Sequence, residues 1–221
     1  MKPVTLSFDN GPTTGITDRV LDVLSDHGIL STFFVVGEKV RASEAASRLV
    51  DRAHAAGHWI GNHSDTHRIP FGRMDRPEEA CDEIREAQKA IGSRARPNKL
   101  FRPFGGGGKL GPGLLNREAL ALLQRDNYTC VIWNSVPGDW PVPDDTHHGW
   151  VERARDQIDG QDWPLVVLHD IEGACLKRLD EFLSWLGAGD FEVRQEFPPD
   201  CILLDRGTVP PDVDMTRFLA G

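Results

Sequence analysis

His63-Ser64-Asp65-Thr66-His67 sets two imidazoles four residues apart, a spacing that puts both on one side of a helical turn or tight loop. Neutral imidazoles so placed can share a divalent ion and leave positions open for water and a ligand. The competing reading is a pair of surface or capping histidines, and Asp65 between them reads as exposed or capping. Asp9 closes an apolar stretch and precedes Asn10-Gly11-Pro12, a turn sequence. It either shapes that turn or offers a carboxylate as general base or metal ligand. His169 follows Pro164-Leu165-Val166-Val167-Leu168. Its near-neutral pKa suits a proton donor to a leaving group; otherwise it is a satisfied histidine at a strand end.

Other conspicuous residues are less specific. Gly105–Gly108 is followed by Lys109 but lacks the G-x-x-x-x-G-K-[ST] spacing of a phosphate loop. A turn, or a backbone that a ligand must approach closely, accounts for it better. Trp133, Trp140 and Trp163 are either core or the wall of a sugar site. His54, His147 and His148 read as solvent-facing or helical.

These side chains need elements to hold them. Val4–Phe8 reads as a strand, followed by Ile16, Val20, Val23 and Leu24 at helical spacing up to Gly28. Thr32–Val36 is the next strand. Ser43 can cap a helix with Ala46, Leu49, Val50 and Ala53 on one face, ending near Gly57. His58–Ile60 is a short strand, and Pro77 opens a helix through Ala80, Ile84, Ala87 and Ile91. Strands follow at Lys99–Phe101, Thr129–Trp133, Leu165–Leu168 and Cys201–Leu204. Helices are expected at Leu115–Leu123, Trp150–Ile158 and through Leu176, Leu179, Leu183 and Leu186. Such alternation implies βαβ units and a parallel sheet.

The polar residues lie just past strand ends: Asp9 and Asn10 past the first, His63 and His67 past the third, Arg102 past the fourth. Asp139 comes a few residues after the fifth, and His169 directly after the sixth. In parallel α/β folds these ends converge on one face, so five separate segments are predicted to share one pocket. Alternation alone does not separate an open sheet from a barrel; seven strands in 221 residues favour a somewhat irregular barrel in a single domain spanning 1–221.

Composition narrows the function further. With 39% hydrophobic and 27% charged residues the chain can build a sizeable core. A balance of 25 Lys+Arg against 34 Asp+Glu, net −9, argues against nucleic acid as a partner. The longest apolar runs, Leu30–Val36 and Leu165–Leu168, are far shorter than the roughly 18 residues a membrane span needs. Met1-Lys2-Pro3 leads straight into a strand-like segment rather than an export signal. Cys81, Cys130, Cys175 and Cys201 form no C-x-x-C pair, which fits free thiols in a reducing compartment. A cytoplasmic protein is expected.

Taken in order, the motifs resemble those of the polysaccharide deacetylase family, the NodB-homology or carbohydrate esterase family 4 domain. Ser7-Phe8-Asp9-Asn10-Gly11-Pro12 is similar to its [T/S]-F-D-D-G-P motif, and His63-Ser64-x-x-His67 to H-[S/T]-x-x-H. Phe101-Arg102-Pro103-Phe104-Gly105 resembles R-x-P-[F/Y]-G, Trp133 through Asp139-Trp140 the segment ending in D-W, and Val167-Leu168-His169 the L-x-H motif. The resemblance runs from about Val4 to His169. It implies a distorted (β/α)7-8 barrel and a hydrolase of non-peptide C–N bonds, usually N-acetyl groups on amino sugars. By the same resemblance Asp9 is the general base, and His63, His67 and residue 10 hold a divalent metal, zinc or another. Arg102 orients Asp9, the Phe104 backbone N–H helps stabilise the oxyanion, His169 protonates the leaving amine, and Asp139 orients and charges His169.

Three departures matter. Asn10 stands where the family usually has a metal-binding Asp, which leaves the ion one negative charge short. Arg102 is followed directly by Pro103-Phe104, one residue shorter than usual, which leaves open whether it reaches Asp9. Val136 stands where many members carry an additional Asp. The leading expectation is a metal-dependent amidohydrolase that removes an acyl group, acetyl first, from a small-molecule or oligosaccharide amino-sugar substrate. The alternatives are an allantoinase- or imidase-like hydrolase of small cyclic amides working without metal, and a catalytically silent carbohydrate-binding domain.

Overall fold

Strand β1, Lys2–Asp9, decides much of the architecture, because its side chains alternate between two buried faces. Val4, Leu6 and Phe8 pack into an apolar cluster with helix residues. Thr5, Ser7 and Asp9, equally buried, point the other way. A strand buried on both faces belongs at the centre of a parallel sheet. In the computed structural model, which describes residues 1–140 and 149–220, β1 pairs in parallel with three other strands.

The strands are β2 (Thr32–Val35), β3 (Trp59–Asn62), β4 (Leu100–Phe101), β5 (Thr129–Val131), β6 (Leu165–His169), β7 (Phe191–Arg194) and β8 (Ile202–Leu204). Their order is β6-β1-β2-β3-β4-β5-β8, with β7 on the first half of β1. A single parallel bridge joins Ser135, beyond β5, to Val166 of β6 and brings the two sides of the sheet together. The result is the distorted (β/α) barrel that the sequence led us to expect. Two details differ. The last strand is antiparallel to β5, with a register shift at Cys130/Val131. An eighth strand, β7, is present among the described residues; Phe-Glu-Val-Arg is half-buried throughout and lacks the apolar run of its neighbours.

The helices are α1 (Thr17–Asp26), α2 (Gly37–Arg41), α3 (Glu44–Ala55), α4 (Glu79–Ile91), α5 (Arg117–Arg125), α6 (Trp150–Asp159) and α7 (Leu176–Ala188). The Ser43 hydroxyl accepts from Ala46 N–H at 3.0 Å and starts α3, as its capping chemistry predicts. Helix α2, five residues directly after β2, is too short to give a periodic signal. Helices α1, α3, α6 and α7 share one apolar cluster with β1, and α4 and α5 share a second with β4, β5 and β8. No helix among the described residues is long and apolar enough to cross a membrane. All four cysteines are free, three of them buried.

Candidate active site

Asp9 ends β1, in register with Phe34 of β2 and His169 of β6. Its Oδ1 accepts from Arg102 Nη1 at 2.8 Å, and its Oδ2 lies 3.6 Å from His63 Nε2. Arg102 is fully buried directly after β4. It donates to Ser7 Oγ at 2.7 Å and covers the Phe34 ring at 4.0 Å. Burial pulls its pKa below the usual arginine range, and Asp9 opposes that shift. The shortened motif after Arg102 therefore does not turn the guanidinium away from Asp9. In the sequence Ser7 was only the first position of the motif around Asp9, with no role of its own; here it is a second acceptor for Arg102.

The second segment is a tight loop beyond β3. Ser64 N–H donates to Asn62 Oδ1, His67 N–H donates to Ser64 Oγ, and Ser64 and His67 both take positive φ. Glu83 of α4 accepts from Asp65 N–H and Thr66 N–H and holds the loop from outside. Asp65 is not merely exposed or capping, since both its oxygens accept from Arg41 at 2.7 Å. His63 Nδ1–H donates to the Arg102 carbonyl at 2.9 Å, leaving the Nε2 lone pair toward Asp9. His67 stacks on Phe104 with centroids 4.0 Å apart, and its ring centroid lies 4.9 Å from that of His63. Burial first, with nearby cationic groups adding to it, lowers both histidines to about 3, so both imidazoles are neutral near pH 7.

Asn10 takes φ 74°, a left-handed conformation asparagine tolerates well. Its buried Oδ1 has no hydrogen-bond partner among the described residues, although Asn10 lines the same cavity as His63 and His67. A buried amide oxygen without a donor is costly. Set beside two neutral imidazoles, it fits a role as an oxygen ligand. The residues present thus match a divalent cation with an N,N,O donor set. Among the described residues no group of three His, Cys, Asp or Glu side chains is placed to hold a metal ion.

Across the cavity, one Asp139 oxygen accepts from His169 N–H at 2.7 Å and the other from His169 Nδ1–H at 2.7 Å. Burial works against the imidazolium. The Asp139 hydrogen bond and charge, helped by Asp9 and Asp170, outweigh it and hold the His169 pKa above its ordinary value. Trp140 meets the His169 ring edge-on at 5.2 Å. The cavity, about 410 Å³, is lined by Asp9, Asn10, His63, His67, Phe104 and His169 together with Trp133, Trp140, Val136 and Gly105–Gly108. No group among the described residues accepts a hydrogen bond from the Phe104 backbone N–H.

The five predicted segments therefore meet. The glycine run forms a backbone wall, and Trp133 is fixed to it by Nε1–H donating to Gly108 O at 2.7 Å. Trp163 lies elsewhere, donating to Thr5 Oγ1. His54 is exposed on α3, and His147 and His148 lie outside the described residues. Asp170 was missed by sequence reasoning. Its buried carboxyl accepts from Thr17 Oγ1 at 2.6 Å and packs against Gly11, and burial raises its pKa to about 6. Thr17 Oγ1 in turn accepts from Thr13 N–H, so the loop carrying Asn10 is tied to the end of β6.

A barrel whose strand ends gather a base-like carboxylate, paired histidines and an acid-like imidazole defines the setting in which the likenesses to known proteins fall. Residues 1–131 match the polysaccharide deacetylase family model, more than half of the chain, and the chain belongs to that family. It is similar to the chitooligosaccharide deacetylase of Bradyrhizobium sp. (strain ANU 289), 34% identical over 145 residues, covering 64% of this chain and 60% of that protein. It is also similar to the peptidoglycan-N-acetylmuramic acid deacetylase PdaA of Bacillus subtilis, 28% identical, covering 83% and 65% respectively. The peptidoglycan-N-acetylglucosamine deacetylase PgdA of Listeria monocytogenes is 27% identical, covering 86% and 37%. The chain thus spans between about a third and two thirds of these curated relatives.

Among solved structures, the peptidoglycan deacetylase PdaC from Bacillus subtilis superposes with TM-score 0.70 at 27% identity, covering 87% of this chain and 86% of that one. A family 4 acetyl xylan esterase from Clostridium thermocellum, in complex with a cobalt ion, gives TM-score 0.67 at 26% identity and covers 88% of each chain.

Proposed function

We propose that this protein is a metal-dependent amidohydrolase that removes an acyl group, acetyl first, from the nitrogen of an amino-sugar substrate. The observation that carries this reading is the pairing of two charge-oriented groups across one cavity, Asp9 held by Arg102 and His169 held by Asp139, with the two neutral imidazoles beside Asp9. The family's named deacetylases support the class of reaction. Four unpaired cysteines support a reducing compartment, hence the cytoplasm. The residues 1–221 act in this reading as one catalytic domain.

An amide is a poor electrophile with a poor leaving group, so cleavage needs a base, an acid and something to hold the developing oxyanion. His63, His67 and Asn10 would hold a divalent cation, zinc or another, which when bound supplies Lewis acidity to water and to the carbonyl oxygen. Asp9 accepts the proton of the attacking water at Oδ2, the oxygen that Arg102 leaves free. Phe104 N–H donates to the carbonyl oxygen as it gains charge. His169 enters as imidazolium and delivers its Nε2 proton to the departing nitrogen, while Asp139 stabilises the cation until that transfer. The tryptophans Trp133 and Trp140 offer apolar faces to a sugar ring.

Purified protein, assayed for acetate release from N-acetylated chitooligosaccharides, is expected to lose activity on chelation and regain it with a divalent metal. Asp9→Asn should lower turnover by roughly 10³-fold while metal content stays near wild type, since proton transfer is lost and the histidines remain. Asn10→Asp should tighten metal binding. No acetate release with any divalent metal, or activity indifferent to chelation, would overturn the proposal.

A further inference from the structure

Residues 134–138 carry the chain from β5 toward Asp139 without forming a strand or a helix. Ser135 bridges to Val166 of β6, but among the described residues no backbone N–H donates to the carbonyls of Asn134, Val136, Pro137 or Gly138. Carbonyls beside a core need donors from somewhere.

Helix α6 supplies them. Gln161, just past its end, donates through Nε2 to the Asn134 carbonyl at 3.1 Å. Gln157 Nε2 donates to the Val136 carbonyl at 3.1 Å, while its Oε1 accepts from Ser135 Oγ at 2.8 Å. Arg153 donates through Nε to the Pro137 carbonyl and through Nη2 to the Gly138 carbonyl, the latter at 2.8 Å. The three side chains recur every fourth residue, so one stripe of the helix grips the segment along its length. Trp150, Val151, Ala154 and Ile158 meanwhile anchor α6 in the core.

Arg153 holds the last two carbonyls before Asp139. Gly138 turns the chain there with φ 66°, and the buried Asp139 carboxylate then meets both the ring and the backbone N–H of His169. Two hydrogen bonds to one residue tolerate little displacement of the backbone that bears the carboxylate. A guanidinium's rigid fork can fix two adjacent carbonyls in one geometry, whereas an ammonium is a single point of attachment.

We propose that Arg153 is a positioning residue for the reaction: its grip on Pro137 and Gly138 fixes the backbone from which Asp139 aims His169. The proposal rests on the reading of His169 as the acid, and it gives α6, which lies behind the site, a part in the chemistry. In the full chain with zinc added, Arg153→Met is expected to lower kcat for acetate release from triacetylchitotriose about tenfold, with KM nearly unchanged and the alkaline limb moved to lower pH. The His169 titration itself, followed by NMR of histidine-labelled protein and assigned with His169→Gln, should move the same way as Asp139 loses its aim. Asp9 and Asp170, which also favour the His169 imidazolium, and the neutral His63 and His67 stay in place.

The direction of that shift is diagnostic. Loss of a cation alone would raise the His169 midpoint, so a rise, or no change, would overturn the proposal. Arg153→Lys keeps the charge without the fork; it should show a smaller shift to lower pH and serves should Arg153→Met not fold. A wild-type midpoint in Arg153→Lys would equally overturn the proposal. If the wild-type protein releases no acetate, the deacylase reading fails, and the direction of the His169 midpoint in the same variants still decides whether Arg153 positions Asp139.

Discussion

Asp139 serves His169 with both of its oxygens, one on the ring and one on the backbone N–H, so the residue fixes the imidazole's tautomer, its angle and its charge at once. Because Asp139 raises the His169 pKa against the effect of burial, the protonated form persists to higher pH than an ordinary histidine allows. In its proposed role as acid His169 must be protonated, so activity is expected to fall as pH rises through that raised value. Asp139→Asn removes the carboxylate charge, and the alkaline limb of the kcat profile should move to lower pH, with kcat at pH 8 falling about 10²-fold. An unmoved limb would mean that another group sets it. Asp9, His63, Arg102 and His169 were legible in the sequence because each follows an apolar strand, where a polar residue has few structural reasons to be. Thr17 and Asp170 were not, and Ser7 was legible only as a motif position without a role. Each is a single buried polar residue whose partner lies far away in sequence, and nothing in its own neighbourhood announces that partner.

The loop between β1 and α1 shows how one element's end constrains another. Gly11 sits so close to Asp170 that a Cβ on it would lie 2.0 Å from Oδ2. Lys39 Nζ donates to the Asn10 carbonyl at 2.7 Å, and Val36 N–H donates to the Gly11 carbonyl at 2.9 Å, so the loop has little room to retreat. Gly11→Ala should therefore destabilise the protein by about 1–3 kcal/mol, as overpacking does. The double variant Gly11→Ala/Asp170→Ala should recover part of that loss in denaturant unfolding, because the two side chains then no longer collide. Strictly additive losses would show that the crowding is relieved in some other way. The elements themselves followed readily from periodicity, caps and glycine stops, as Ser43 and the helix after Pro77 illustrate. What escaped was β7, whose Glu192 and Arg194 pair with each other at a half-buried edge. The direction of β8 escaped too, since strand polarity is set by a connection and not by composition.

At the scale of the molecule, the two strand ends that carry the proposed acid are held together by very few bonds. β5 and β6 do not pair along their lengths. Asn134 Oδ1 accepts from Leu165 N–H at 2.7 Å, Ser135 N–H donates to the Leu165 carbonyl at 3.2 Å, and Val167 N–H donates to the Ser135 carbonyl at 3.0 Å. Asn134 Nδ2 also donates to the Trp163 carbonyl at 3.1 Å. This short seam completes the barrel, and Asp139 lies only four residues beyond it. Asn134→Ala would leave the fully buried Leu165 N–H without an acceptor, which costs about 1–3 kcal/mol. For a chain of this size that corresponds to a fall in Tm of roughly 2–12 °C. The opening also loosens the segment that aims Asp139 at His169, so kcat should fall more than KM rises, with the alkaline limb again displaced downward. Because Asn134 Nδ2 also donates to Asp200 Oδ2 at 3.2 Å, the control is Asn134→Asp in an Asp200→Asn background, which keeps an acceptor for Leu165 N–H without setting two carboxylates together and should retain most of the stability and the wild-type limb. Equal damage from Asn134→Ala and from this control would assign the effect to the amide's contact with Trp163 and detach the seam from the acid.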